Sequence, residues 1–87
     1  MFNIPFEFIF SDEALAQIKK LDNKTAKRML DKLESTSSNP LHFFERLTGR
    51  EESKLRIGDY RLIAKIMVNE QKVFILSLGH RKNIYKR

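Results

Sequence analysis

Residues 54–61 read KLRIGDYR, and they set two arginines against each other. Gly58-Asp59 is a two-residue hairpin signal between apolar residues, so Ile57 pairs with Tyr60 and Arg56 with Arg61. Lys54 lies two residues along the same face. Like charges directly opposite on a sheet cost roughly 0.2–1 kcal/mol. A phosphate held between them turns that repulsion into convergent attraction, because each guanidinium fork can donate to two phosphate oxygens at once. The plainer alternative is a solvated outer face whose cations pair with Glu51, Glu52 or Asp59. Arg81 and Tyr85, four residues apart just after the last apolar run, favour the phosphate. An arginine and an aromatic beside a basic sheet can hold a phosphate and stack a base.

The surrounding elements must place these groups. Residues 3–10 alternate around Phe6, Phe8 and Phe10 and read as a first strand. SDEALAQIKKLD opens with Ser11 as N-cap and acids in the first turn, with Ala14, Leu15, Ile18 and Leu21 at helical spacing. Asn23 is expected to cap a second helix over roughly 24–36, with Ala26, Met29, Leu30 and Leu33 on its apolar face. The two make an α-hairpin. STSSNP (35–40) is a loop, and LHFFERLTGREE is expected to be a short turn carrying Leu41, Phe43, Phe44 and Leu47 into the core. Strands near 53–57, 60–68 and 72–78 follow, joined by Gly58-Asp59 and a turn around Asn69-Glu70. Such short connections make them antiparallel neighbours. Tyr60, Leu62, Ala64, Ile66 and Val68, with Leu55 and Ile57, are expected to form the face packed on the helices. Lys54, Arg56, Arg61 and Lys65 share the open face. VFILSL (73–78) is apolar on both faces and its sides cannot be assigned.

Composition bounds the rest. The chain of 87 residues is expected to form one domain over 1–87, with 41% hydrophobic residues and seven Phe. It has no cysteine, so neither a disulfide framework nor a thiolate metal site is available, which fits a cytoplasmic location. MFNIPFEFIF lacks a basic leader and a small-residue cleavage site and is too short to span a bilayer, so no membrane partner is expected. Residues 1–40 hold six basic and six acidic residues, whereas 41–87 hold eleven basic and five acidic, so the second half carries the whole +6. Its positive field suits a polyanion, nucleic acid or an acidic protein.

YRLIAKI after a basic strand, then an apolar strand ending LGHRKNIY, resembles the RelE/ParE superfamily of toxins from type II toxin–antitoxin modules. The resemblance runs from the first strand through the α-hairpin and NPLHFFERLTG to the last strand; 54–61 and 79–85 are its most distinctive parts. It implies an α+β, RelE-like fold (β-α-α-β-β-β), with the first strand and α-hairpin on one face of a mainly antiparallel sheet. It also implies a ribosome-dependent mRNA endoribonuclease that works without metal or cofactor. In RelE-type members the nucleotide's own 2′-OH attacks the adjacent phosphate in the ribosomal A site, leaving a 2′,3′-cyclic phosphate.

Carried over residue by residue, the resemblance makes Lys54 a general base or transition-state stabiliser and Arg61 the holder of the scissile phosphate. It makes Arg81 the group that stabilises or protonates the 5′-oxygen leaving group. Tyr85 would stack on a base, and Arg56, Lys65 and Lys82 would contact RNA. A cognate RelB-like antitoxin is implied, together with ribosome and mRNA, and operator DNA only through the antitoxin complex. Glu52 departs from the pattern, standing where the best-known members have a second lysine. It removes a cation, so it either serves as a base or leaves catalysis weaker. His80 beside Arg81 could act as an acid or simply end the strand, and His42 reads as structural. Two other functions share these features: a ParE-like inhibitor of DNA gyrase, and a non-catalytic basic module acting with an antitoxin on DNA.

Overall fold

The computed structural model describes residues 4–84, with side chains through Lys82. Strand β1 (Glu7–Phe10) leads into helix α1 (Asp12–Lys19), helix α2 (Asn23–Ser35) and a single turn, α3 (Pro40–Phe43). Strands β2 (Glu45–Arg46), β3 (Ser53–Ile57), β4 (Tyr60–Met67) and β5 (Lys72–His80) follow, and α4 (Arg81–Ile84) ends the described chain. The five strands form one sheet in the order β1-β5-β4-β3-β2, antiparallel except for β1, which runs parallel to β5. This is the expected mixed α+β arrangement, extended by β2, α3 and α4.

Each of the two long helices starts where a side chain satisfies an orphan backbone donor. Ser11 Oγ accepts from Ala14 N at 3.0 Å, as its sequence position suggests. The second cap is Asp22 rather than Asn23: its carboxylate accepts from Thr25 N at 3.2 Å, and α2 begins one residue earlier than expected. Both residue types cap well, so the sequence left the choice open. The Thr25 hydrogen bonds hold the Asp22 carboxyl below the usual aspartate range.

One face of the sheet is covered by α1 and α2. Ala14, Met29 and Leu33 pack with Phe44, Leu55, Ile57, Leu62, Ala64, Val73, Ile75 and Leu78 in one buried cluster. Each large side chain among them contributes about 1.5–3 kcal/mol by leaving water. Leu15 and Leu30 were expected on the apolar faces but are exposed, because each sits at the margin of its helix's buried stripe. Val68, expected on the helix-covered face of the sheet, is exposed because β4 ends at Met67. Segment 41–47 also departs from expectation: Phe44 is buried, Leu41 and Phe43 are exposed and Leu47 is half-buried. Only Leu41 and Phe43 lie on the single turn α3, which directs both to solvent, while Phe44 follows its end and Leu47 lies beyond β2.

Strand β5 contains an irregularity that sequence alternation does not show. Ile63 pairs with Ser77, but Ala64 pairs with Ile75, leaving Leu76 without a partner on β4. This bulge resets the alternation, so Val73 and Ile75 before it and Leu78 after it all face the helices. Past the end of β1, the backbone of β5 is satisfied from α1 instead. Ser11 Oγ donates to Leu76 O at 2.7 Å, and Gln17 Oε1 accepts from Leu78 N at 2.7 Å.

Candidate functional site: a cationic cavity on the β3 edge

The β3–β4 hairpin supplies the charges. Its register is the expected one: Arg56 faces Arg61, Lys54 faces Ile63 and Ile57 faces Tyr60. Gly58 takes φ +59°, the left-handed conformation that lets a two-residue loop close the ribbon. Alternation then puts Lys54, Arg56, Arg61 and Lys65 on the open face, around a buried Ile63.

The two arginines are not neutralised. Arg56 Nε donates to Gly58 O at 3.5 Å, and Arg61 Nη1 donates to Tyr60 O at 3.3 Å. Among the described residues neither forms an ion pair. Across from Arg61 on the other side stands Gly79, which has no side chain to crowd it. The two lysines differ. Lys54 Nζ lies 3.8 Å from Glu45, and Lys65 Nζ lies 3.2 Å from Glu51.

Strand β2 covers only Ser53 and Lys54 of the β3 edge. Beyond it the edge opens into a cavity of about 310 Å³ lined by Lys32, Phe43, Glu45, Lys54, Leu55, Arg56 and Arg61. Four cations and one acid converge there. An anion entering it meets point charges from two lysines and planar forks from two arginines, the donor set that suits phosphate. Lys32 and Phe43 were missed from sequence. Lys32 reads as an ordinary solvated helix cation and Phe43 as a core residue, so no spacing marked either.

The other expected residues lie apart from this cavity. Arg81 begins α4 and is exposed; its N–H donates to Asp59 O at 2.8 Å, fixing α4 to the hairpin turn near Arg56 and Arg61. Lys82 is exposed. Its N–H donates to His80 Nδ1 at 3.2 Å, and the His80 ring meets Tyr60 edge-on at 5.7 Å. His80 pairs with Tyr60 in the register, one position beyond Gly79 and Arg61, so it belongs to the helix-covered face. His42 is exposed, edge-on to Phe43. Tyr85 lies outside the described residues. Glu52 does not line the cavity: it pairs with Arg50 at 3.1 Å. Its own backbone amide, aided by Arg50, holds its carboxyl below the usual glutamate range.

Among curated proteins, none matches this sequence. The family model for the ParE toxin of type II toxin–antitoxin systems matches residues 8–85. Among solved structures, the fold resembles the toxin–antitoxin complex RelBE2 of Mycobacterium tuberculosis, with a TM-score of 0.80 at 24% identity over 92% of this chain and 95% of that one. It also resembles the intact RelBE toxin–antitoxin complex of E. coli, with a TM-score of 0.74 at 22% identity over 86% and 95%. A third match is the archaeal RelE–RelB complex of Pyrococcus horikoshii, at 0.74 and 20% identity over 92% and 99%. The chain therefore belongs to the ParE toxin family of type II toxin–antitoxin systems, within the RelE/ParE superfamily, and carries a RelE-like fold.

Proposed function

We propose that this toxin is a cytoplasmic, ribosome-dependent mRNA endoribonuclease. The observation that supports it most is the meeting of Lys54, Arg56 and Arg61 at one cavity, with neither guanidinium in an ion pair among the described residues. In this reading the cavity mouth takes the scissile phosphate. The 2′-oxygen of the preceding nucleotide forms a bond to phosphorus, the P–O5′ bond breaks, and the 2′-hydroxyl proton is taken up. Lys54 accepts that proton or stabilises the charge on the phosphorane. Arg61, with Arg56, holds the non-bridging oxygens, and Arg81 stabilises or protonates the departing 5′-oxygen. Tyr85 stacks a base, and Lys65 and Lys82 contact the flanking backbone. Electrostatic stabilisation and positioning then supply the rate. A RelB-like antitoxin is the partner that restrains the activity, and operator DNA is reached through that complex.

The test uses ribosomes programmed with an mRNA carrying a defined A-site codon, comparing wild type with Arg81→Ala. Cleavage within that codon, leaving a cyclic-phosphate end that the variant largely loses, is expected. Intact message with ribosome-bound toxin would sink the proposal. The match to the ParE toxin family keeps open the ParE-like alternative drawn from the sequence resemblance, inhibition of DNA gyrase. It predicts loss of gyrase supercoiling at toxin concentrations that leave the message whole.

A further inference from the structure

We infer that the wall of the cavity formed by Lys32 and Phe43 is a nucleotide subsite in which Phe43 stacks a base and Lys32 holds its phosphate. The inference rests on the RNA reading above and names a part of the substrate contact that the hairpin charges do not explain. The cavity exists because β2 stops after two residues, leaving the β3 edge at Leu55 and Arg56 without a strand neighbour. Its walls come from elsewhere: Lys32 from α2 and Phe43 from α3. A phosphate alone would need only the cations. The aromatic is what requires explanation, since Phe43 is 41% exposed in a chain whose core had room for Phe44 beside it.

Lys32 Nζ sits over the Phe43 ring, 5.7 Å from its centroid. A cation at that distance is held by the ring's negative face, worth about 0.5–1 kcal/mol at an exposed site. That is weak enough to exchange. A nucleobase can take the ring face while the lysine, on its flexible stem, swings to the phosphate of the same nucleotide. Base–aromatic stacking tolerates any base, so this subsite adds affinity without sequence preference. Glu45, the one acid on the rim, is mostly exposed and lies near Lys54, where it can turn outward to solvent. The volume of about 310 Å³ falls at the small end of ligand clefts, which span about 300–1,000 Å³. One nucleotide suits it better than a duplex or a folded partner.

The probe is a 2′-O-methyl RNA tetranucleotide, which lacks the nucleophile and cannot be cut, titrated against the full chain. Binding of wild type and variants is followed by backbone amide NMR shifts, with the Phe43 ring signals added wherever that residue is present. The same strand with one abasic position, and inorganic phosphate, are the controls. Phe43→Leu is expected to weaken tetranucleotide binding about tenfold, the loss of one stack, and to erase the preference over the abasic strand. Lys32→Gln is expected to lower the salt slope of binding by about 0.7, one phosphate contact on a single strand. Phe43→Leu binding like wild type, or wild type binding the abasic strand equally well, would overturn the subsite. So would an acidic peptide that shifts the Phe43 ring while the tetranucleotide does not. Thermal melts of both variants show whether the fold is kept. If ribosome assays show no cleavage while tetranucleotide binding depends on Phe43, the nuclease reading falls and the subsite stands. If the message is cut while binding is indifferent to Phe43, the subsite falls and the nuclease reading stands.

Discussion

The two ends of the β3–β4 ribbon carry similar positive charge and treat it differently. At the end away from the turn, Lys54 and Lys65 each have a carboxylate within reach, Glu45 and Glu51. At the turn end, Arg56 and Arg61 face each other and, among the described residues, bond only backbone carbonyls. Exposed ion pairs contribute about 0–1 kcal/mol, so the lysine end gains little stability from its acids, but its charge is largely cancelled. The turn end keeps its charge and bears the repulsion. Acceptors missing from the folded chain there are ones that a phosphate would bring.

The sharpest way to break this comparison is Arg61→Ala. On ribosomes, cleavage is expected to fall about 10²–10³-fold, as when one electrostatic donor to a transition state is removed. The isolated protein should meanwhile become more stable by roughly 0.2–1 kcal/mol, since the cross-strand repulsion is gone. That gain should fade in 1 M salt, where the screening length is about 3 Å. Unfolding in urea at low and high salt measures it. Near-wild-type cleavage, or a loss of stability at low salt, would show that the two arginines are an ordinary solvated pair.

The turn itself is the next largest test. A Cβ at Gly58 would stand 3.3 Å from Arg28 Nη2, the far end of a flexible side chain that can move aside. Backbone strain at φ +59° is therefore the larger part of the cost. Gly58→Ala should lose about 1–3 kcal/mol, whereas Gly58→Asn, which tolerates this conformation better, should lose less. Equal losses for the two variants would shift the explanation from backbone strain to crowding at Arg28.

How much of this was legible follows from where the information resides. The hairpin was, because Gly58-Asp59 and the alternation from Leu55 to Ile66, broken only at Ile63, fix register and face together, and with them the Arg56–Arg61 pair. The sides of β5 were not, because the Leu76 bulge resets a period of two without changing residue types. Half of the cavity was hidden for a similar reason. Lys32 and Phe43 reach it only because β2 is two residues long, and strand length at a sheet edge is set by tertiary packing. Family resemblance marked Arg81, yet its nearness to the hairpin turn depends on a backbone hydrogen bond to Asp59 that no side-chain pattern encodes.

At the lysine end, Glu51→Gln should release Lys65 for RNA. Single-strand binding should tighten by a few-fold at low salt, with the salt slope steepening by about 0.7. Stability should change by less than about 1 kcal/mol, because both partners are substantially exposed. An unchanged slope would mean that Lys65 stays off the RNA path even when freed.

Glu52 gives the smallest effect and locates the acid sensitivity of the ribbon. Its carboxyl is held below the ordinary glutamate range, chiefly by its own backbone amide and then by Arg50. A group whose folded pKa is lowered stabilises the fold fully above its unfolded pKa and loses that contribution as pH falls through the folded value. Stability should therefore decline as pH drops through and below about 4 to 5, and Glu52→Gln should flatten that part of the profile. Among the described residues no carboxylate is paired with Arg56 or Arg61, so their backbone amide shifts should move less over the same range than those of Arg50 and Glu52. Superimposable profiles for wild type and Glu52→Gln would mean that neither the backbone amide bond nor the Arg50 contact of Glu52 is maintained in solution. Shifts at Arg56 and Arg61 tracking those at Glu52 would couple the two ends and remove the contrast between them.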